Sequence, residues 1–389
     1  MSKKLYSLFA LLVISAMVLT ACGAPADNNS AGANNDAAAN NNANDSAAND
    51  SANDSAANSG GDADAPAAQD DSTSPILDRV LERGTLICGG RTNLTGFGYL
   101  DADGNNTGFD IDLCRAVAAA VLGDASAVEV VALDSADRGP ALQTAEVDLL
   151  SRNVTWTSSR DAQWGNFTPI MFYDGQGFIT NNPAIATMED MNGASICVGS
   201  GTTTEQNLAD FFRQNAWDYE PVIFADADVL YAAYEEGRCD VTTSDLSQLA
   251  AKRSGFADPS AHTLLAGTIS KEPLTPAVPH GDDKWFDTVK LVMFALINAE
   301  ELGVTQANVG DMMSSDNINV LRLLGQEGDW GYGDLGLSAT ALADAITAVG
   351  NYGEIYDRYM GPEGAAFTLP RGNNNLWNNG GLIYAPPVK

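Results

Sequence analysis

Residues 128–150 read VEVVALDSADRGPALQTAEVDLL, and this stretch decides the fold class. Its first apolar run, 128–133, predicts a strand. Residues 138–145 predict a short helix, and a second apolar run over 147–150 predicts another strand. Strands separated by helices are typical of parallel βαβ units, so the sequence predicts an α/β fold. The same alternation begins upstream, with a strand at 86–88 and a helix at 108–122.

The alternation restarts after residue 180. The sequence predicts strands at 195–198, 222–224 and 240–243, and helices at 203–215, 229–236 and 245–253. A proline-rich crossing then interrupts the pattern, and a long amphipathic helix follows at 285–302. We therefore expect two lobes joined by crossings near residues 179 and 274. Lobe 1 comprises residues 74–178 and the returning chain, 275–389, and lobe 2 comprises residues 179–274. In the tail we expect a helix at 338–349 and an irregular Gly/Asn-rich end.

The N-terminal residues resemble an export signal. Lys3 and Lys4 precede an apolar run from Leu5 to Leu19, which is shorter than the ~20 residues that span a bilayer. The run ends in Leu19-Thr20-Ala21-Cys22, which resembles the bacterial lipobox. We expect residues 1–22 to be a lipoprotein signal peptide with Cys22 lipidated; the alternative is an ordinary cleavage site. Residues 23–73, rich in Ala, Asn, Asp and Ser, predict a disordered linker.

Composition narrows the class of protein. Asp plus Glu total 51 against 20 Lys plus Arg, which gives a net charge of −31 and argues against nucleic-acid binding. With only 2 histidines and no nucleophile or cofactor motif, we expect no metal and no cofactor. Both His262 and His280 are expected to face solvent.

The four cysteines beyond Cys22 are even in number, as is typical of exported proteins with disulfides. They are Cys88, Cys114, Cys197 and Cys239, which allow three connectivities. Pairing within each sequence region, Cys88 with Cys114 and Cys197 with Cys239, is the simplest expectation. Four free thiols are the alternative.

Candidate binding chemistry lies at strand ends and helix starts. The run Gly199-Ser200-Gly201 leads into Thr202-Thr203-Thr204-Glu205, which fits a capping box opening a helix and a possible anion site. Arg160 offers a bidentate fork for a carboxylate, and Asp245, at a strand end, accepts from an ammonium. Together the two charges suit a zwitterion. Plain helix capping and surface charges are the alternative interpretations.

Several motifs, taken in order, carry a resemblance to a known family. They include Gly108-Phe109-Asp110-Ile111-Asp112, residues 150–157 (LSRNVTWT), residues 199–205 (GSGTTTE), and GGLIYAPP at 380–387. Over residues 75–389 the chain resembles the polar amino-acid class of bacterial ABC-importer substrate-binding proteins, and in particular general L-amino-acid binding proteins.

The resemblance implies a two-lobed, periplasmic-binding-protein-like (type II) fold with two hinge crossings. It implies an extracytoplasmic, monomeric protein that binds an L-amino acid and delivers it to ABC permease subunits, with the membrane contacted only through the lipid anchor. By position, Arg160, Thr155 and Thr203 would hold the α-carboxylate. Asn153 and Asp245 would hold the amino group. The other residues expected at the ligand are Arg152, Thr202, Arg91 and Phe97.

Two positions depart from the relatives. Ser135 stands where relatives often stack an aromatic ring on the ligand, and Arg91 stands where they often place an acid or a small polar group. These departures imply a roomy, polar pocket of broad specificity that tolerates Glu, Asp or Gln. We expect a binding protein rather than an enzyme. The alternatives are an exported dehydratase-like enzyme, which would need a positioned acid or base such as Asp245 or Glu205, and an extracellular sensor domain.

Overall fold

The computed structural model describes residues 73–362 and 367–389, which belong to one compact unit, residues 68–389. The predicted signal peptide, its Cys22 and the linker up to residue 72 lie outside the described residues. Within those residues, no helix has both the length and the apolar character that crossing a bilayer requires.

Helices and strands alternate along most of the chain. The α-helices of the described residues are α1 (Pro75–Arg83), α2 (Phe109–Leu122), α3 (Arg138–Gln143), α4 (Ser158–Gln163), α5 (Thr203–Asn215), α6 (Ala227–Glu235), α7 (Leu246–Ser254), α8 (Asp283–Glu301), α9 (Val309–Met312), α10 (Ile318–Leu323), α11 (Ala341–Val349) and α12 (Tyr352–Met360). The strands are β1 (Leu86–Gly90), β2 (Asn93–Leu94), β3 (Gly98–Leu100), β4 (Asn106–Thr107), β5 (Val128–Ala132), β6 (Leu149–Leu150), β7 (Asn166–Phe167), β8 (Phe172–Asp174), β9 (Gln176–Thr180), β10 (Ser195–Gly199), β11 (Glu220–Phe224), β12 (Val241–Asp245), β13 (Thr263–Leu264), β14 (Glu272–Leu274) and β15 (Ala277–Val278).

Two mixed five-stranded sheets form the two lobes. The sheet of lobe 1 has the order β5-β1-β6-β15-β7, and β1 is parallel to both β5 and β6. The sheet of lobe 2 has the order β11-β10-β12-β9-β13, and β10 is parallel to both β11 and β12. The remaining pairings are antiparallel: β15 pairs with β6 and β7 in lobe 1, and β9 pairs with β12 and β13 in lobe 2. The predicted α/β fold with two lobes is therefore confirmed.

The lobes are connected by an antiparallel ribbon, in which β8 pairs with β14. On the first crossing the chain leaves this ribbon at Asp174 and enters the sheet of lobe 2 at Gln176, the first residue of β9. Residues 176–178 thus lie in lobe 2, a few residues before the predicted boundary at 178/179. The polar and glycine-rich run Asp174-Gly175-Gln176-Gly177 was the available sequence signal for this change of sheet.

Helix α5 begins and ends at the predicted residues. The hydroxyl of Thr202 accepts from the Glu205 N–H at 3.1 Å, and the Glu205 carboxylate reaches back to the Gly201 N–H at 3.0 Å. These two bonds satisfy N–H groups that a helix start otherwise leaves without partners.

The expectation of an irregular end after residue 349 is wrong in part, because the structure adds α12. Asn351 and Glu354 form a capping box at its start, and Tyr352, Ile355 and Tyr356 are buried in the core of lobe 1. The Asn-x-x-Glu spacing was the available sequence signal. The chain after residue 366 has no α-helix among its described residues and includes two single 3₁₀ turns.

Both expected disulfides are present in the structure, Cys88–Cys114 and Cys197–Cys239. The first joins β1 to α2, and the second joins β10 to the loop before β12. Each bridge therefore ties a central strand to an element of the same lobe.

Glycine is required at Gly108, directly before α2. Its φ is +130°, and a Cβ there would lie 2.1 Å from the carbonyl oxygen of Phe97. No side chain caps the start of α2, since its N-cap residue is Gly108. Instead Asp110 accepts from the Asn153 N–H at 2.8 Å, and Asp112 accepts from Tyr359.

The expectation that His262 faces solvent is wrong. Its side chain packs against Phe256, and its Nδ1 lies 2.8 Å from the hydroxyl of Tyr234. The ring is therefore part of the core of lobe 2, whose apolar neighbours the polar loop sequence does not reveal.

Candidate functional site

Residues of both lobes line one cavity at the carboxyl ends of the parallel strands. In lobe 1 the chain after β1 supplies Arg91, and the chain after β6 supplies Arg152, Asn153 and Thr155. In lobe 2, β12 ends at Asp245. The cavity, with its mouth, has an empty volume of about 600 Å³. Ligands of open α/β sheets bind at such strand ends.

Eight of the nine residues expected at the ligand line this cavity, and they come from both lobes: Arg91, Arg152, Asn153, Thr155, Arg160, Thr202, Thr203 and Asp245. The structure therefore brings together side chains that are up to 154 residues apart in sequence, from Arg91 to Asp245.

The expectation that Phe97 contacts the ligand is not supported by its position. Its side chain is buried in the core of lobe 1, where it packs edge-on against Phe109 and Phe172 with ring centroids 6.3 and 5.2 Å away. Apolar burial of this ring stabilises the lobe, and Phe97 is absent from the cavity lining.

Four buried arginines line the cavity: Arg91, Arg138, Arg152 and Arg160. In the described part of the chain none of them forms an ion pair with a carboxylate. Burial lowers the pKa of all four guanidinium groups, and it lowers that of Arg138, with help from Arg160 and Arg91, to about 9. Buried cations that no carboxylate neutralises favour an anionic ligand.

Arg160 is held in place by its own helix. The hydroxyl of Thr157, the N-cap of α4, accepts from the Arg160 N–H at 3.2 Å. The Arg160 Nη1 donates to the carbonyl oxygen of Thr155 at 3.0 Å, and the guanidinium carbon of Arg160 lies 4.7 Å from the Trp164 ring centroid. These contacts use one of five N–H donors, so the guanidinium keeps donors for a ligand carboxylate.

Asp245 is a buried carboxyl group of lobe 2. It ends β12 and precedes α7, yet its side chain does not cap that helix. Burial, and then the carboxylates of Asp174 and Glu272, raise the pKa of Asp245 well above its usual range. Asn153 Nδ2 lies 3.5 Å from its Oδ2. A cation such as an ammonium group would relieve this unfavourable burial of negative charge.

The hydroxyls of Thr155 and Thr203, one from each lobe, meet at the base of the cavity. Their oxygens are 3.4 Å apart, and both donate to the carboxylate of Glu272. Glu272 begins β14, and its position directly before Pro273 gave no sign of this role. Its contacts join residues 117 and 69 positions away in sequence.

Hydrogen bonds cross the cavity from lobe to lobe. Arg91 Nη1 donates to Gln248 Oε1 at 2.8 Å, and Arg138 Nη2 lies 3.5 Å from the Gly201 carbonyl oxygen. Nearer the rim, Asn93 donates to Asp228 at 3.0 Å. The structure is therefore that of closed lobes.

Among the residues of the cavity lining that sequence reasoning missed are Arg138, Tyr231 and Gln248. Arg138 begins α3 shortly after the end of β5, which is the one signal that could have identified it. Gln248 and Tyr231 lie on helices of lobe 2, where the Gln248 amide donates to the Tyr231 hydroxyl at 3.1 Å. Tyr231 supplies an aromatic surface that the presence of Ser135 had led us not to expect.

Two α/β lobes, a two-stranded connection and a charged cavity between the lobes define a periplasmic-binding-protein-like fold of type II. The chain belongs to the bacterial extracellular solute-binding proteins, family 3, whose sequence profile matches residues 86–308.

Two named relatives align with most of the chain. It is 49% identical over 321 residues to the general L-amino acid-binding periplasmic protein AapJ of Rhizobium johnstonii, with 82% of this chain and 94% of the relative aligned. It is 44% identical over 321 residues, with the same two shares aligned, to the glutamate/glutamine/aspartate/asparagine-binding protein BztA of Rhodobacter capsulatus.

A solved structure has the same fold. An ABC-transporter periplasmic binding protein from Brucella ovis with glutathione bound is 46% identical, superposes with a TM-score of 0.78, and covers 80% of this chain and 99% of its own. Relatives of this chain are thus named as binding proteins, in agreement with the expectation that it is not an enzyme.

Proposed function

We propose that this protein is the substrate-binding component of an amino-acid ABC importer, which acts as a monomer and delivers L-amino acids to the permease subunits. One observation carries the proposal. A buried arginine of lobe 1, Arg160, and a buried aspartate of lobe 2, Asp245, line the same cavity. The α-carboxylate and α-ammonium of an amino acid match these two charges.

The ligand's backbone groups would bridge the lobes. Arg160 would hold the α-carboxylate, and the start of α5 at Thr203 would contribute N–H groups, since a helix's first turn has unpaired donors. Thr155 would assist at the same carboxylate, while Asp245 would hold the ammonium beside Asn153. Because a bridging ligand contacts both lobes only when they are closed, binding shifts the population toward closure.

Broad specificity is the second part of the proposal. Arg91 and Arg138 add positive charge beyond the α-carboxylate position, and Ser135 leaves room. Polar and acidic side chains, such as those of glutamine, glutamate and aspartate, would thus be accepted. The names of AapJ and BztA, which refer to general and to acidic or amide amino acids, support this breadth.

Calorimetric titration of the wild-type protein with each of the twenty amino acids tests both parts. We expect several polar and acidic amino acids to bind, and Arg91→Ala to change their order of affinity while binding persists. Absence of binding by every amino acid would contradict the function. Tight binding of lysine or arginine alone would contradict the proposed specificity.

Membrane anchoring through Cys22 is a separate proposal, supported by the lipobox-like Leu19-Thr20-Ala21-Cys22. Lipidation of this cysteine would tether the protein to the outer face of the cytoplasmic membrane or within the periplasm. Cys22→Ser should abolish labelling by a fatty-acid analogue and move the protein to the soluble fraction with amino-acid binding unchanged. A variant that stays membrane-bound and labelled would rule out the anchor.

A further inference from the structure

Glu272 is a buried carboxylate at the second crossing, and it receives four side-chain hydrogen bonds. Thr155 Oγ1 donates at 2.6 Å and Thr203 Oγ1 at 2.9 Å, both to Oε2. Asn207 Nδ2 donates at 2.8 Å and Ser270 Oγ at 2.5 Å, both to Oε1. The residue is 1% exposed and lies behind the two threonines, which themselves line the cavity.

The two threonine hydroxyls have a single proton each. When both protons point to Glu272, the oxygens present only lone pairs to the cavity. For a ligand carboxylate at this position there are two outcomes. Either the hydroxyls turn away from Glu272 and donate their hydrogen bonds to the ligand, or the carboxylate lies against two acceptor oxygens. A neutral amide has N–H donors and fits the oxygens as they stand.

We propose that Glu272 is a positioning residue that competes with the ligand's α-carboxylate for the hydroxyl protons of Thr155 and Thr203. It thereby limits the affinity for the free acid relative to the α-amide. This inference rests on the proposed amino-acid binding function. The competition keeps release to a permease possible from a site that otherwise offers several cationic groups to an anion.

Glu272→Gln tests the role directly, because glutamine keeps one oxygen for the threonines and loses the charge. The NH₂ group of the substituted side chain would face Ser270 and Asn207. The Ser270 hydroxyl oxygen can accept a hydrogen bond from it, and the Asn207 amide can rotate to present its oxygen. The probes are L-glutamate and its α-amide, L-isoglutamine, titrated by calorimetry at one pH. The measured quantity is the ratio of the two dissociation constants, amide over acid.

We expect this ratio to rise about tenfold or more in Glu272→Gln, since a hydrogen bond to a charged group is at stake. Asp174→Asn is the matched control. Asp174 lies opposite Glu272 in the ribbon and is a partly buried carboxylate, but it accepts from the backbone N–H groups of Gly175 and Ser247. Its replacement should change the ratio less than about threefold.

An unchanged ratio in Glu272→Gln, or an equal rise in Asp174→Asn, would overturn the inference. If Glu272→Gln does not fold, as judged by thermal unfolding, Thr203→Val replaces it. Thr203→Val removes one of the two oxygens that face the ligand as acceptors, so the ratio of the dissociation constants, amide over acid, should again rise, and a fall in this ratio would overturn the inference. Failure of the wild type to bind any amino acid would instead refute the proposed function.

Discussion

Three aspartates near the cleft, Asp110, Asp174 and Asp245, have carboxyl groups whose ionisation the fold disfavours. Burial is the largest cause in each case, and it raises the pKa of Asp110 to about 7 and that of Asp174 to about 6. The pKa of Asp245 is also raised, by burial and by its neighbours Asp174 and Glu272. In the unfolded chain these groups would ionise near pH 4. The folded protein therefore holds protons that the unfolded chain has released.

This difference predicts that the unliganded protein becomes less stable as pH rises. With more protons bound in the folded state, the free energy of unfolding falls between about pH 4 and pH 7, through the raised pKa values. Thermal unfolding at several pH values should show a lower midpoint at pH 7.5 than at pH 5.

Asp110→Asn should reduce this pH dependence, because asparagine still accepts from the Asn153 N–H and cannot titrate. Asp124→Asn is the control, since local hydrogen bonds lower the pKa of Asp124, and it is ionised throughout this range. Equal pH profiles for the wild type and Asp110→Asn would contradict the role assigned to Asp110.

At the scale of elements, the C-terminal segment of the chain contacts β8, the strand that leads into the first crossing between the lobes. The side chain of Asn374 accepts from the Tyr173 N–H at 2.6 Å and donates to the Tyr173 carbonyl oxygen at 3.1 Å. Tyr356 of α12 stacks on Phe172 with ring centroids 5.9 Å apart. Strand β8 is thus fixed to lobe 1 by residues beyond the family profile, which ends at 308.

Asn374→Ala should lower stability, because it leaves two backbone groups of Tyr173 without their partner. The expected cost is about 1–3 kcal/mol, or a decrease of several degrees in the unfolding midpoint. Asn375→Ala, next along the chain, is the control: its side chain is only partly buried, and its hydrogen bond to the Gly372 carbonyl oxygen, at 3.3 Å, is exposed. Equal midpoints for the two variants would show that the contact with β8 contributes little.

Elements with a local signal could be predicted, and those defined by distant contacts could not. Thr202 and Glu205 mark the start of α5 within four residues, so its bounds follow from the sequence. The Asp174-Gly175 turn marks the end of β8 but not the sheet that the chain joins next, because β9 is defined by its antiparallel pairing with β12, more than 60 residues away. The short strand β15 joins its sheet by the same kind of distant pairing.

For the whole molecule, the site residues with a local sequence signal could be predicted, and those defined by distant contacts could not. Arg160 and Asp245 stand at helix starts and strand ends, and the family resemblance assigned them to one ligand, so both could be nominated from sequence. Glu272 could not, because its partners come from both lobes and meet only in the fold. Phe97 was misplaced because an apolar residue among ligand-binding neighbours gives no sign of whether it faces the cavity or the core.

The central claim is that Arg160 and Asp245 together hold the two charged groups common to all amino acids. Calorimetric titration of Arg160→Ala and Asp245→Ala with glutamate, glutamine, leucine and lysine tests it most directly, with thermal unfolding to verify the fold. Each variant should lose every ligand that the wild type binds, by about 2–5 kcal/mol, or tens- to thousands-fold in affinity. Arg91→Ala should instead alter only the order among side chains. Near-wild-type binding by either Arg160→Ala or Asp245→Ala would contradict the account.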